Sequence, residues 1–186
     1  IFAGDTVPLN VQFKVDGANG DLSLIEWTSS NDEVVSVENG TLTAKACGTS
    51  KIVASYEGVS SEISCEVRMA IRTAEDFLSI KDAPRDASNN ITYKYVLLND
   101  LDLNGAVVNA FAPYKSEADT NKFTNYVFNG EFDGRGHAIS NFSVYDASGL
   151  SSVFGLVGAE GVIKNTSFMQ VKGSDETVQP QIKFKG

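Results

Sequence analysis

The sequence predicts an all-β protein in two parts: a β-sandwich over residues 1–69, then the start of a parallel β-helix with about three coils over residues 70–186. Three observations carry this expectation. Short alternating apolar runs fill the first part, separated by turn residues every few positions. The second part matches itself at a shift of 24 residues, which sets Phe132 on Leu156, Gly134 on Gly158, Ile139 on Ile163 and Asn141 on Asn165. The β-branched and aromatic content of that repeat favours a solenoid of strands over one of helices.

The elements follow in chain order. Val7, Leu9, Val11, Phe13 and Val15 alternate, so residues 7–15 read as one half-buried strand. Residues 17–20 are a turn, residues 24–28 the next strand, and Ser29-Ser30-Asn31-Asp32 its end. Val34, Val35 and Val37 lead into Asn39-Gly40, a hairpin signal because both residues tolerate positive φ. Leu42, Ala44 and Ala46 alternate before Gly48, and residues 51–56 and 62–67 flank the Glu57-Gly58 turn. Trp27, inside an alternating strand, reads as a core plug.

Past residue 70, Thr73 can cap a short helix, Asp76 can complete its capping box, and Phe77, Leu78 and Ile80 form its apolar side. Residues 81–90 are polar and read as loop; residues 93–103 form an apolar strand region. Residues 105–127 form a longer insertion, followed by the two repeat units.

Two stretches also resemble known families. Trp27-Thr28-Ser29-Ser30-Asn31, Val34-Val35-Ser36-Val37, Asn39-Gly40-Thr41-Leu42-Thr43-Ala44, Ala46-Cys47-Gly48-Thr49-Ser50-Lys51-Ile52 and Ile63-Ser64-Cys65-Glu66-Val67 together resemble a bacterial Ig-like group 2 domain across residues 5–68. Ser36 stands where that family more often has Ala. The second part is similar to the opening of right-handed parallel β-helix regions with Gly-Leu-rich (GLUG-like) repeats. The resembling residues are Ile71-Arg72-Thr73-Ala74-Glu75-Asp76-Phe77, the stretch from Tyr95 to Leu103, the stretch from Phe128 to Ile139, and Val153-Phe154-Gly155-Leu156-Val157. Both resemblances imply a bacterial cell-surface or secreted protein whose domains act as spacers or adhesion modules, and the first implies an Ig-like strand arrangement. Family members of the second kind generally have more coils.

Composition narrows the function. Fifteen Lys and Arg against 24 Asp and Glu give a net charge of −9, which disfavours nucleic acid and anionic membrane surfaces as partners. No apolar run approaches the ~20 residues of a membrane-spanning helix. One His among 186 residues argues against His-rich metal sites and His-dependent triads. The chain opens Ile1-Phe2-Ala3 without an initiator Met, and residues 182–186 still alternate like a strand, so a longer parent protein is expected. Cys47 and Cys65 fit neither a CxxC nor a zinc pattern; they form a disulfide if the protein is exported, or remain two small buried thiols.

The chemistry-bearing motifs are few. Asp100-Leu101-Asp102-Leu103-Asn104-Gly105 starts like a calcium loop, but Phe111 stands at the twelfth position where a bidentate Glu belongs. The two aspartates then read as the solvated face of a strand, and no metal or cofactor is expected. His137 reads as a polar turn residue within Asp133-Gly134-Arg135-Gly136, and Gly134, Gly136, Gly155, Gly158 and Gly161 as tight corners rather than a phosphate loop. Asn39, Asn90, Asn141 and Asn165 head glycosylation patterns that are chance matches in a bacterial protein.

Two function classes remain. The expected one is a non-enzymatic adhesin-like or spacer module that binds a glycan, a host protein or another extracellular protein. The insertion is its candidate site, through Tyr114, Phe123 and Tyr126, because long loops are often functional and aromatic faces suit sugar rings. The structural alternative is that these aromatics only pack over the coil end. The other class is a fragment of a carbohydrate-active β-helix enzyme, a polysaccharide lyase or hydrolase, with Glu131, Asp133, Asp146 and Arg135 as available groups.

Overall fold

A computed structural model describes residues 1–16, 18–112, 114–116, 123–145, 152–170 and 182–184, with the backbone alone at 114–116, 123–125, 145, 170 and 182–184. The chain is mostly β and divides between Met69 and Ala70 into two compact units.

The described strands of the first unit are β1 (Thr6–Pro8), β2 (Lys14–Val15), β3 (Ala18–Asn19), β4 (Glu26–Ser29), β5 (Val35–Glu38), β6 (Thr41–Ala44), β7 (Gly48–Tyr56) and β8 (Val59–Val67). They form antiparallel sheets in the orders β1-β6-β5 and β4-β7-β8, with β2 and β3 as a separate hairpin. The β5–β6 turn places Asn39 and Gly40 at φ 48° and 72°, and the β7–β8 turn places Glu57 and Gly58 at 46° and 84°. Positive φ at both central residues is what a tight hairpin twist requires. Val35, Leu42 and Ala44 from one sheet and Ile52, Cys65 and Val67 from the other make the buried core, and Trp27 packs against it.

The expected single strand over residues 7–15 is broken. Only Thr6 to Pro8 pair with β6, Leu9 donates one further bond to the Gly40 carbonyl, and pairing resumes at Lys14. The reason is the partner: β6 begins at Thr41, just past the Asn39-Gly40 turn, so residues beyond Leu9 run out of strand to pair with.

The Ser29-Ser30-Asn31 break is a hydrogen-bonded knot. Ser50, almost fully buried, brings its hydroxyl within 2.8 Å of Ser29 Oγ and accepts the Asn31 N–H at 3.0 Å, while Ser29 Oγ donates to the Val35 carbonyl at 2.6 Å. The backbone that leaves β4 is thereby satisfied without a strand partner.

Cys47 and Cys65 are thiols, and no bridge joins them. The pairing register explains it: Cys65 faces Ser50, three residues away from Cys47. At ~3.3 Å per residue that separates the two by about 10 Å along the strands, beyond the ~7 Å that a disulfide spans. Cys65 is buried in the core and behaves as a compact hydrophobe.

The second unit starts at β9 (Met69–Ile71) and α1 (Ala74–Leu78), followed by β10 (Asn90–Ile91), β11 (Lys94–Leu97), β12 (Leu101–Asn109), β13 (Tyr114–Ser116), β14 (Phe123–Asn125), β15 (Val127–Phe128), β16 (Glu131–Asp133), β17 (Ala138–Tyr145), β18 (Leu156–Val157), β19 (Val162–Lys164), β20 (Thr166–Gln170) and β21 (Ile182–Phe184). α1 carries the expected capping box: Thr73 Oγ1 accepts the Asp76 N–H, and Asp76 returns a carboxylate to the Thr73 N–H. Three parallel ladders, β10-β15-β18, β11-β16-β19 and β12-β17-β20, are built by three successive passes of the chain. Inward positions stack in register as Tyr95–Phe132–Ile163 and Leu101–Ile139–Phe168. Phe77 of α1 enters the same interior, its ring 5.1 Å from Phe111 and 6.0 Å from Phe132.

The stacking period differs from the 24-residue self-similarity. Phe132 lies beside Ile163 rather than Leu156, and Ala138 beside Ser167, so one pass takes about thirty residues here. The 24-residue match set strands of different ladders on one another, Phe132 of β16 on Leu156 of β18 and Ile139 of β17 on Ile163 of β19, whereas stacking follows the strand pairs. Two corner glycines are steric necessities. Gly155 has φ +71°, and a Cβ there would strike the Ala112 carbonyl; a Cβ at Gly134 would strike Thr166 and the Asn165 carbonyl.

Candidate functional site

The expected insertion is shorter than residues 105–127, because residues 105–109 belong to β12, which pairs with β17; within the remainder β13 lies antiparallel to β14, with Tyr114 paired to Asn125 and Ser116 to Phe123. Tyr114 and Phe123 thus stand on facing strands, with side chains outside the described residues. Backbone bonds hold the root of this hairpin. Ala112 bridges Gly155 in parallel, its N–H donates to the Phe154 carbonyl at 3.1 Å, and its carbonyl accepts from Leu156 at 3.1 Å.

Tyr126 closes the other side of the root. It is half-buried, and the Arg85 guanidinium carbon lies 4.7 Å from its ring centroid, a cation–π stack. Arg85 also donates to three backbone carbonyls: Phe111 at 2.7 Å, Asn89 at 3.3 Å and Lys81 at 3.4 Å. One side chain therefore ties the 81–90 segment, the end of β12 and the start of β15 together. A groove of about 310 Å³ opens here, lined by Lys81, Asp82, Arg85, Asn109, Phe111 and Tyr126. Lys81 Nζ pairs with the neighbouring Asp82 carboxylate.

Of the aromatic residues expected to bind, Tyr126 is placed in a groove, with one ring face taken by Arg85. Sequence reasoning missed Lys81, Asp82, Arg85 and Asn109. Arg85 and Tyr126 are far apart in sequence and share no motif, so only the turn of the chain brings them together. A lone Arg in the polar 81–90 stretch is the one local signal.

The acidic residues named for other chemistry brace one chain pass to the next. Asp100 Oδ1 accepts the Ala138 N–H at 2.9 Å and lies 3.1 Å from His137 Nδ1. Asp102 accepts from Asn104 N–H and the Asn141 amide at 2.8 Å each. Asp133 accepts from Arg135 N–H at 3.0 Å and the Asn165 amide at 3.2 Å, and Lys164 Nζ lies 2.9 Å from Glu131 and 3.9 Å from Asp133. These bonds favour the ionised forms. The Ala138 N–H, then His137, hold the Asp100 carboxyl below its ordinary pKa. The Asn104 N–H, then Asn141, do the same for Asp102. Burial raises Asp133, but its hydrogen bonds from Arg135 and Asn165 and the Lys164 and Arg135 charges together outweigh that and leave it lowered. Three of the four asparagines in glycosylation patterns donate their amide to such a carboxylate: Asn90 to Asp86, Asn141 to Asp102 and Asn165 to Asp133.

Glu131 and Asp133, available in sequence for polysaccharide cleavage, are engaged in this bracing, and Asp146 lies outside the described residues. Among the described residues no group of three or more His, Cys, Asp and Glu side chains could hold a metal ion. No described helix is long and apolar enough to cross a membrane. No protein-family model matches the chain, and no curated protein matches it.

Proposed function

We propose that this chain is a non-enzymatic module of a bacterial cell-surface or secreted protein, which presents the β13–β14 hairpin and the Tyr126 groove to a glycan or an extracellular protein. In this reading residues 1–69 are a bacterial Ig-like group 2 sandwich that acts as a spacer. Residues 70–186 are then the opening coils of a right-handed parallel β-helix of the Gly-Leu-rich kind. The motifs from Trp27 to Val67 and the three parallel ladders support that assignment.

The observation that carries the functional part is the pinned root of the hairpin. Ala112 is bonded into the next chain pass, and Arg85 clamps Tyr126, so an aromatic-bearing loop stands on a base that does not need to order on binding. Pre-ordering lowers the entropic cost of association. The hydrolase form of the enzymatic alternative needs a carboxyl with a raised pKa to act as acid, and Asp133, held by Arg135 N–H and the Asn165 amide, is shifted the other way.

A glycan array, followed by incubation with each hit and analysis for cleavage products, tests the reading. Binding without turnover is expected, and Tyr114→Ala and Tyr126→Ala weaken it several-fold through lost ring contacts. Unchanged binding in both variants removes the site, and cleavage products move the protein to the enzyme class.

A further inference from the structure

We propose that Asn104 is a site of self-modification, where the folded chain converts its own asparagine to aspartate and isoaspartate. Four Asn-Gly pairs occur in the sequence, headed by Asn19, Asn39, Asn104 and Asn129. In such a pair the glycine nitrogen can reach the asparagine side chain, because no Cβ obstructs the approach. That nitrogen gives its proton to water or hydroxide and bonds to the amide carbon Cγ. The Cγ–Nδ2 bond breaks, the amide nitrogen takes up a proton, and ammonia leaves behind a five-membered imide. Water then opens the imide at either carbonyl, to aspartate or to isoaspartate, whose backbone is longer by one methylene. Nothing is oxidised or reduced, and water is the co-reactant.

Ring closure needs a free glycine N–H and an asparagine that can turn towards it, and the fold withholds one or the other at three of the pairs. At Asn19 the Gly20 N–H donates to the Phe13 carbonyl at 2.8 Å, and Gly20 is pressed against the Phe13 ring. At Asn129 the side-chain Oδ1 is buried, the backbone N–H donates to the Ile91 carbonyl at 2.9 Å, and Gly130 abuts the Tyr93 carbonyl. At Asn39 the following glycine is buried against Trp27, its carbonyl accepts the Leu9 N–H at 2.7 Å, and the Glu38–Thr41 pair closes the turn. Each of these must open locally before it reacts.

Asn104 needs no such opening. It is exposed, and neither its side-chain amide nor the Gly105 N–H bonds to a described residue. Nothing lies within 4 Å of the Cβ that Gly105 would carry. The pair sits in a bulge of β12: Asp102 faces Ser140 and Ala106 faces Phe142, so 106 − 102 = 4 steps on β12 meet 142 − 140 = 2 on β17. A backbone longer by one methylene is absorbed in that surplus, and the paired strands stay in register. The new carboxylate arises beside Asp102, which accepts the Asn104 N–H and the Asn141 amide at 2.8 Å each. Conversion therefore adds a like charge at one brace between chain passes.

The test is peptide mapping by mass spectrometry on the intact chain held at mildly alkaline pH, beside the same chain in denaturant. Unfolded, the four pairs share one local chemistry and should convert at similar rates. Folded, Asn104 should convert at least about tenfold faster than any other pair, the rate factor of about 1.4 kcal/mol in barrier. Its aspartate and isoaspartate peptides should appear together, and ion exchange should resolve a species with one more negative charge. Asn104→Gln, whose longer side chain would have to close a six-membered ring, should abolish that species, whereas Asn39→Gln should leave it. A melting transition recorded before incubation confirms that each variant is folded. Similar rates at all four pairs of the folded chain overturn the proposal. So does faster conversion at Asn39, or an Asn104 that reacts in denaturant and persists in the folded protein.

Discussion

In the second unit, inward positions stay buried across the first two chain passes: Tyr95 and Phe132 are 3% and 0% exposed, Leu101 and Ile139 5% and 0%. In the first unit the inward face of β8 opens progressively. Val67 and Cys65 are buried, but Ile63 and Val59, on the same face of the same strand, are 49% and 75% exposed. Alternate residues of a strand share one face, so these four belong to a single surface. The difference lies in how cover is supplied. A stacked pass lays strand on strand in register, whereas a sheet covered by a second sheet is protected only as far as that second sheet extends. Here β1 stops at Pro8, and a groove of about 450 Å³ remains beside Phe13, Tyr56 and Val59.

The largest expected effect comes from the packed interior. Phe132→Ala removes a fully buried ring within 5.4 Å of Phe154 and 6.0 Å of Phe77. It should cost about 3–5 kcal/mol, seen as a lower denaturation midpoint of the second unit with the first unit's transition unmoved. A shift of both transitions would show that the units do not melt independently. Next comes Ser50→Ala, which strips a buried hydroxyl from the Asn31 N–H and from Ser29. About 1–3 kcal/mol should be lost, measured on the first unit, and a neutral result would mean that the knot is not needed to end β4.

A smaller effect separates the units by pH. Asp86, Asp100, Asp102 and Asp133 in the second unit are all lowered, against Asp21 alone among the described residues of the first. A lowered carboxyl stabilises the fold above its unfolded pKa of about 3.9 and loses that contribution as pH falls through the folded value. Acid should therefore weaken the second unit more than the first below about pH 4, as read from denaturant midpoints across a pH series. Asp102→Asn should flatten part of that slope, and an equal acid response in both units would break the distinction. The smallest expected effect is Ile63→Thr, within about 0.5 kcal/mol because the site is already half in water. A larger loss would show that this face is covered in solution.

Local chemistry was the legible part. The Asn39-Gly40 turn, the Thr73–Asp76 capping box and the alternating strands follow from neighbouring residues, and the all-β class follows from them. What depends on distant pairing was not legible. The break after Leu9 is set by where β6 begins, the spacing between Cys47 and Cys65 by the β7–β8 register, and the stacking period by strand pairing rather than by sequence self-similarity. At the candidate site Tyr126 could be picked out as an aromatic in a long insertion. Its Arg85 partner could not, because nothing in the 81–90 stretch encodes the return of the chain at 126.

The unequal passes of the second unit carry a consequence for how this architecture can change. Asn90 pairs with Val127 and Val127 with Leu156, so the first pass is 127 − 90 = 37 residues and the second 156 − 127 = 29, yet the parallel pairs remain aligned. The surplus is absorbed where β13 and β14 project. Lengthening a surface loop costs little, since closure entropy grows only with the logarithm of length. The corner from Asp133 to Ala138 lacks that latitude: its Gly134 N–H, Gly136 N–H and Asp133 carboxylate are each bonded to the Lys164–Asn165 stretch of the following pass. Sequence drift, or an engineer grafting a new peptide, should therefore find a permissive corner bordering the Tyr126 groove, where new recognition can be tried without re-threading the stack.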